Sequence, residues 1–153
     1  MSEITDYSAI AELVFTLRQK CALKDLYFVR KMGISQAEFN CLAQFYDTDV
    51  LGVKELNEKL ELTPGGVTRV LTLLEKKGLI KRRISLEDRR SIDVILTKKG
   101  KDMVQKLQKA ASELHKEIFA QLDARSRQKL VWSIEQLMKI IDQWLEKNKE
   151  VEN

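Results

Sequence analysis

Basic residues are concentrated between Thr63 and Lys99, and this segment has the residue types needed for binding chemistry. It contains ten lysines and arginines against four acidic residues, so its formal charge is +6. The whole 153-residue chain carries only +4, so the remainder sums to −2. Clustered cationic side chains attract polyanions, and the phosphates of nucleic acids are a common partner. At this point the alternative is a solvated basic face without a partner.

Two helical patterns joined by a tight turn open this basic segment. Leu56 and Leu60 recur at helical spacing in the first, which we expect to end near Leu62. Thr63 has the properties of an N-cap, and Pro64 suits the first position of the second helix. An apolar stripe at spacings of three, four and seven then runs along the second helix, through Val67, Val70, Leu71 and Leu74.

Gly78 ends the second predicted helix, and two short strands are expected after it. The strands cover residues 79–84 and 91–96, and apolar and polar side chains alternate in the second. The polar residues 85–90 form the tip between them. A helix-turn-helix followed by a basic β-hairpin predicts a winged helix.

The runs TPGGVTRVLTLLEKKGLIKRR and DRRSIDVILT resemble the recognition helix and wing of the MarR family of bacterial transcriptional regulators. The wing signature of that family is D-x-R followed by an alternating strand and L-T. Asp88, Arg90, Leu96 and Thr97 match it. The resemblance implies a mainly α fold with a small β-hairpin wing, in which long N- and C-terminal helices mediate dimerisation.

Helical patterns also fill the rest of the chain. A capping box at Ser35 and Glu38 predicts one helix start, and Gly52, Thr97 and Asp123 are further candidate N-caps. The predicted helices outside the basic segment run from about 4 to 31, 35 to 46, 98 to 122 and from 123 onward, with a loop at 47–52. We therefore predict a single domain over 1–153, with a DNA-binding lobe at 35–100 and a dimerisation region at 1–34 and 101–148.

The long terminal helices hold more apolar surface than a small winged-helix core can cover. We expect a homodimer in which the terminal helices of two protomers interdigitate, as the resemblance also implies. The alternative is that these helices fold back and bury their apolar faces within one chain. A two-fold dimer would place two recognition helices in major grooves one turn apart, so the operator should be a near-palindrome of double-stranded DNA.

The predicted DNA-binding residues lie in the second helix and the hairpin. They are Thr63, Pro64, Gly65, Gly66, Thr68, Arg69, Arg82, Arg83, Asp88, Arg89 and Arg90. Arg69 is the candidate for bidentate readout of guanine; its alternatives are an ion pair with Glu75 or a phosphate contact only. Thr63 and Thr68 are assigned to phosphate or positioning contacts. The glycine pair serves either a close approach of backbone to phosphate or close packing on the preceding helix.

In the wing, Arg90 matches the family arginine that enters the minor groove, although Arg89 could exchange roles with it. Asp88 is expected to orient Arg90 by a charge-assisted hydrogen bond. Arg82 and Arg83, with Lys81, are expected to neutralise phosphates.

Two residues depart from the family pattern. Glu61 stands where a glycine is common, so its φ could be strained. Asn57 replaces a small apolar residue, which could loosen the packing between the two helices of the motif. Neither departure removes the DNA-binding interpretation.

The sequence gives little on what regulates the protein. An unknown small-molecule effector remains open, with Phe15, Phe28, Met32 and Phe39 as possible walls of an apolar pocket or as simple core. Cys21 has Arg18, Lys20 and Lys24 near it and is a candidate redox-sensing thiol; the alternative is a buried core cysteine.

Metal and cofactor sites are not predicted, because His115 is the only histidine and no glycine-rich phosphate loop follows a strand. The absence of catalytic motifs disfavours an enzyme. The two cysteines, without CxxC spacing, and the lack of a signal peptide or a bilayer-spanning apolar run predict a cytoplasmic protein. We predict a transcriptional regulator, most simply a homodimeric repressor released by a small-molecule or stress signal. The alternatives are a winged-helix protein–protein adaptor and a non-specific DNA-binding protein.

Overall fold

The structure, a computed structural model, describes residues 6–149, and most of them are helical. The elements are α1 (Tyr7–Met32), α2 (Gln36–Ala43), β1 (Val50–Gly52), α3 (Val53–Lys59), α4 (Pro64–Lys76), β2 (Ile80–Ile84), β3 (Ile92–Leu96), α5 (Lys98–Phe119) and α6 (Ala124–Lys149). The predicted winged-helix architecture is confirmed. The predicted start of the first helix near Ile4 lies outside the described residues.

The chain divides into two compact units, with the boundary inside α5. The first unit extends to Ala111 and contains α1 to α4, the three strands and the first part of α5. The second begins at Ser112 and contains the rest of α5 and α6. The division into a DNA-binding lobe at 35–100 and dimerisation regions at 1–34 and 101–148 stays a prediction.

Local capping chemistry explains where the helices begin. Four predicted N-caps are confirmed: the side chains of Ser35, Thr63, Thr97 and Asp123 accept hydrogen bonds from the backbone N–H groups of Glu38, Gly66, Gly100 and Ser126. Gly52 also begins its helix as predicted, but it has no side chain with which to cap. Gly78 follows the end of α4 with a φ of 73°, a left-handed conformation that glycine adopts without strain.

Several sequence-based boundaries were wrong: the helix expected to end near Leu62 ends at Lys59, and the helix expected to reach residue 122 ends at Phe119. The second helix was expected to reach Tyr46 but ends at Ala43, because Gln44 and Phe45 donate to carbonyls three residues back and tighten the chain into turns. Residues 50–52 were expected to be loop but form β1, which pairs with β3. Both hairpin strands begin one residue later than predicted.

The three strands form an antiparallel sheet in the order β1-β3-β2. In the wing, Ile80 pairs with Leu96 and Ile84 pairs with Ile92, so the register between them is continuous. The base of the hairpin is therefore held in the core while its tip extends from it. The core of this unit is apolar and comes from every element: its fully buried members include Val29, Leu42, Leu56, Val67, Leu71, Leu74, Leu79, Ile80, Val94 and Leu107.

Both departures from the family pattern can now be assessed. Within residues 6–149, only Gly33 and Gly78 have positive φ, so the expected strain at Glu61 was wrong. Asn57 is half-buried on α3, and its Oδ1 is buried without a hydrogen-bond partner among the described residues.

The terminal helices expose apolar side chains along much of their length. In α6 no residue is buried. The exposed large apolar residues of α1 and α6 include Leu13, Phe15, Leu17, Leu23, Tyr27, Val131, Trp132, Met138, Ile140, Trp144 and Leu145.

Candidate nucleic-acid interface

The first turns of α4 present an open polar surface. Thr63 ends the preceding turn, and its Oγ1 accepts a hydrogen bond of 3.1 Å from the backbone N–H of Gly66. Thr63, Pro64, Gly65, Thr68 and Arg69 are all exposed, and Gly66 is half-buried. The predicted residues of this helix are thus brought together on one exposed end, where the positive end of the helix dipole favours an anion.

Neither glycine of α4 is required by packing on α3. A side chain at Gly65 would meet open space. One at Gly66 would touch only the neighbouring Leu62 and Thr63, at 3.3 Å or more. Of the two explanations offered for the pair, close packing on the preceding helix is therefore unsupported. Open space beside the helix start is what a close approach of another molecule's backbone requires.

Two threonine hydroxyls farther along α4 already donate hydrogen bonds within the helix. Thr68 Oγ1 donates to the Pro64 carbonyl at 3.0 Å, and Thr72 Oγ1 donates to the Thr68 carbonyl at 2.9 Å. Each hydroxyl keeps lone pairs and can still accept a hydrogen bond. Arg69 makes no ion pair among residues 6–149, and Glu75, the partner that the alternative assigned to it, pairs with Arg82. Its guanidinium is free to make bidentate contacts.

Arg82 is the partner of Glu75, a contact that was not predicted from the sequence. Its Nη2 lies 2.6 Å from Glu75 Oε2, Nε donates to the same oxygen at 3.2 Å, and its backbone N–H donates to Oε1 at 3.2 Å. The hydrogen bonds from Arg82 hold the pKa of the Glu75 carboxyl below its usual value. Arg82 therefore ties β2 to α4 instead of standing free to neutralise phosphate. The sequence offered no signal for this contact, because the two residues are brought together only by the turn at Gly78.

Arg83 and Lys81 remain available on the outer side of the wing. Both are exposed. The only acidic partner of Arg83 within the described residues is Asp93, whose Oδ2 is 3.9 Å from Nε. At this distance, with the Arg83 side chain exposed, the pair contributes little and would not prevent a phosphate contact.

Asp88 organises the wing tip through its neighbours' backbone. Its Oδ1 accepts from the backbone N–H of Arg90 at 2.9 Å, and Oδ2 accepts from Ser91 Oγ at 3.0 Å. These hydrogen bonds lower the pKa of the Asp88 carboxyl. The expected charge-assisted bond to the Arg90 guanidinium is therefore not the one formed: Asp88 binds the Arg90 main chain and leaves the guanidinium free. Arg89 and Arg90 are both exposed, and which of them enters a groove stays open.

The base of the wing is locked to the start of α5. Thr97 Oγ1 donates to the Gly78 carbonyl at 2.6 Å, and Lys99 Nζ donates to the Lys77 carbonyl at 2.8 Å. A Cβ on Gly100 would lie 1.9 Å from the carbonyl oxygen of Leu79, so only glycine fits there. Sequence reasoning did not single out Gly100, although a glycine inside a helical pattern was a usable signal.

A second contact missed from the sequence fixes the far end of α4. Glu38 is 3% exposed, and its Oε1 lies 2.6 Å from Lys77 Nζ. The atoms are near enough for a hydrogen bond but poorly aligned for one, so we describe the contact as an ion pair. Burial raises the pKa of the Glu38 carboxyl, but Lys77 and the Ser35 backbone outweigh it and leave the pKa below its usual value.

The residues considered as sensors of a signal differ in their exposure to solvent. Cys21 is exposed, whereas burial raises the pKa of Cys41 to about 12. Phe28 and Phe39 pack edge to face with ring centres 5.3 Å apart, but Phe15 is exposed, so these side chains do not enclose a shared pocket. His115 is exposed near Phe119.

No group of three or more potential metal ligands lies close together within residues 6–149. None of the described helices combines the length and apolarity needed to cross a bilayer.

Comparison with known proteins agrees with this geometry. The MarR family model matches residues 34–92, which include α2 to α4 and the hairpin up to the start of β3. An uncharacterised HTH-type transcriptional regulator of Bacillus subtilis, YdgJ, is 31% identical over 121 residues, covering 79% of this chain and 74% of the relative. The chain belongs to the MarR family.

A second curated relative of this MarR-family protein is also named as a regulator of transcription. The B. subtilis transcriptional repressor MdtR is 37% identical over 84 residues, covering 55% of this chain and 54% of MdtR. The fold is also similar to that of a mutant Escherichia coli MarR complexed with operator DNA, with a TM-score of 0.69 at 23% identity over 84% of this chain and 93% of that one. This MarR-family protein is a helix-turn-helix transcriptional regulator and belongs to a non-enzymatic, DNA-binding family.

Proposed function

We propose that this protein is a cytoplasmic, homodimeric repressor that binds a near-palindromic operator in double-stranded DNA. The observation that carries the proposal is the exposed start of α4, where Gly65 adjoins open space and Arg69 has no partner within residues 6–149. The exposed cations of the wing lie on the same compact unit. One lobe thus offers a helix for a major groove and a basic hairpin for the neighbouring minor groove.

Dimerisation is supported by the apolar residues that α1 and α6 expose. Trp132 and Trp144 are each more than half exposed, and both lie on α6. Large aromatic side chains at the surface are typical of protein interfaces. In the proposed dimer, a signal that changes the separation of the two lobes would weaken both half-site contacts together and release the DNA. The signal is a small molecule or a stress, with Cys21 as a candidate thiol for the latter.

The test is selection of binding sequences from a pool of random 30-base-pair duplexes, followed by fluorescence anisotropy over a salt series. We expect enrichment of a near-palindrome with half-sites about 10 base pairs apart, bound by two protomers. The preference over scrambled duplex should be about a thousandfold or more, with affinity falling steeply as salt rises. Equal binding to selected and scrambled duplexes would instead indicate a non-specific DNA-binding protein. No binding at low salt would favour a protein–protein adaptor.

A further inference from the structure

Three apolar side chains near the tip of the wing are exposed and have no role in the function proposed above. Leu86 is 84% exposed, Ile84 66% and Ile92 46%. Ile84 and Ile92 lie directly opposite each other on β2 and β3. We call these three residues the wing patch. Scattered apolar residues on a surface are ordinary, but adjacent ones on one hairpin indicate a contact with another molecule.

The cross-strand pair of the wing patch lies on the face of the hairpin that continues into the core. Alternate residues of a strand share a face, and the register on this face runs through the pairs Ile80–Leu96, Arg82–Val94 and Ile84–Ile92. The first pair is buried. From the second, Arg82 reaches Glu75 on α4. The side of the wing that is turned toward α4 therefore continues beyond the edge of the core, and Ile84 and Ile92 form this continuation.

Ile92 also lines a cleft of about 380 Å³ between the wing and the start of α3. Val53 supplies a second apolar wall, and Lys54 and Arg90 supply two cationic side chains. Among the residues that line this cleft there is no carboxylate. Apolar and cationic side chains occur together in this cleft, which suits a partner that presents apolar and anionic groups side by side.

The DNA backbone has that chemistry, because each phosphate is followed by the carbon face of a deoxyribose. A helix in a major groove and a hairpin in the adjacent minor groove must straddle the strand that separates the grooves. That strand would pass beside the face of the wing turned toward α4. We propose that the wing patch packs against deoxyribose of this strand, while Lys54 and Arg90 bind its phosphates. The proposal rests on the DNA-binding function proposed above.

Sugar packing has two consequences that phosphate contacts do not share. Contacts to phosphate release counterions and make affinity depend on salt, whereas apolar packing releases none. A ribose in the same place would press its 2′-hydroxyl against isoleucine and lose the hydrogen bonds that the hydroxyl makes with water. The wing patch should therefore add affinity without adding salt dependence and should favour deoxyribose over ribose.

The test compares the wild-type protein with an Ile84→Thr/Ile92→Thr double variant and with Leu86→Ser, using a duplex obtained by the selection described above. Threonine keeps the β-branched shape that suits a strand. We expect the double variant to bind about tenfold more weakly, from the apolar contact it loses, with the slope of log affinity against log salt unchanged. Arg90→Ala should instead lower the magnitude of that slope by about one. Val50→Thr on β1 is the matched control, being a β-branched residue 38% exposed on the same sheet away from the wing tip.

A second measurement identifies the sugar as the contact. Ribonucleotides are substituted one at a time around the half-sites, and the wild-type protein should lose affinity at one or two positions where the double variant loses none. Circular dichroism melts verify that the variants fold. Leu86 lies at the hairpin tip, outside both strands, so a loss of affinity in Leu86→Ser would not come from altered strand packing.

Several results would overturn the proposal. Wild-type affinity in both the double variant and Leu86→Ser would leave DNA binding intact and remove the wing patch from it. A smaller salt slope in the double variant would mean that its loss of affinity comes from displaced phosphate contacts. A changed oligomeric state with unchanged affinity would mean that the wing patch contacts a second copy of the chain. Failure of the wild-type protein to prefer any duplex would refute the proposed function, and this inference with it.

Discussion

The start of α4 and the wing are both exposed parts of one lobe, but their polar groups differ in whether they already have partners within the chain. Around α4's first turns, Arg69 has no partner within residues 6–149 and Gly65 adjoins open space. In the wing, Arg82 is held by Glu75, and Asp88 binds the main chain of its own turn. The polar groups at the helix start are thus available to a partner, whereas several of those in the wing hold the wing itself in shape. We therefore predict that substitutions in α4 change which DNA sequence is preferred. Substitutions of residues that hold the wing in shape should change the affinity for all duplexes.

Arg69→Ala should give the largest effect on operator binding. Loss of a bidentate contact to guanine costs about 1–3 kcal/mol, so affinity for the selected duplex should fall about 10- to 100-fold. Affinity for scrambled duplex should fall much less, because only one charge is removed. Anisotropy titrations on both duplexes measure this, with Arg125→Ala, an exposed arginine of α6, as the charge-matched control. Equal losses on the two duplexes would reassign Arg69 to a phosphate contact.

Gly65→Ala separates function from stability at the same helix start. Alanine should leave the free energy of unfolding unchanged or raise it by up to about 1 kcal/mol, since the new Cβ meets open space. Affinity for the selected duplex should nevertheless fall, on the order of tenfold, if DNA backbone approaches this turn closely. Urea denaturation and anisotropy give the two quantities.

The opposite case in the same lobe is Gly100, where a Cβ would lie 1.9 Å from the Leu79 carbonyl oxygen. Gly100→Ala should destabilise the fold by about 1–3 kcal/mol. If Gly65→Ala bound DNA as well as the wild-type protein, the open space beside Gly65 would have no role in recognition.

Breaking the tie between Arg82 and Glu75 should loosen the wing with a smaller effect on sequence preference. A double-mutant cycle with Glu75→Gln and Arg82→Gln should give a coupling of about 0.5–1 kcal/mol in the free energy of unfolding, because the pair is partly exposed and screened. Affinity for both duplexes should fall together, about three- to tenfold, since the wing samples more orientations before it binds. A loss confined to the selected duplex would mean that Arg82 reads bases directly.

Sequence reasoning worked where the signal is local. Thr63, Thr97 and Asp123 cap the predicted helices because a hydroxyl or carboxylate beside an apolar stripe acts within three residues. The family resemblance added the order of the elements and the location of the wing.

Contacts between distant segments could not be predicted in the same way. The three residues of β1 are too few to show an alternation, and their pairing with β3 is made across about forty residues of chain. The engagement of Arg82 by Glu75 follows from the turn at Gly78, so a residue expected to contact DNA became part of the framework. The wing patch was visible in the sequence only as two ordinary strand residues and one leucine in the hairpin tip, because exposure is decided by where the core ends.

The smallest expected effect concerns the C-terminal end of α4, where the buried Glu38 meets the exposed Lys77. The pKa of Glu38 is lower in the folded protein than in the unfolded chain, so its contribution to stability is present above the unfolded pKa. As the pH falls below about 4.3, the usual value for glutamate, the unfolded chain takes up the proton first and that contribution is progressively lost. Glu38→Gln should therefore be less stable than the wild-type protein near pH 7, and the difference should shrink toward pH 3. Urea denaturation at several pH values measures it, with Glu55→Gln, which removes an exposed i,i+4 pair with Lys59, as the control. A difference that stays constant across this range would mean that Glu38 stabilises the fold through its shape and capping hydrogen bonds, and not through its charge.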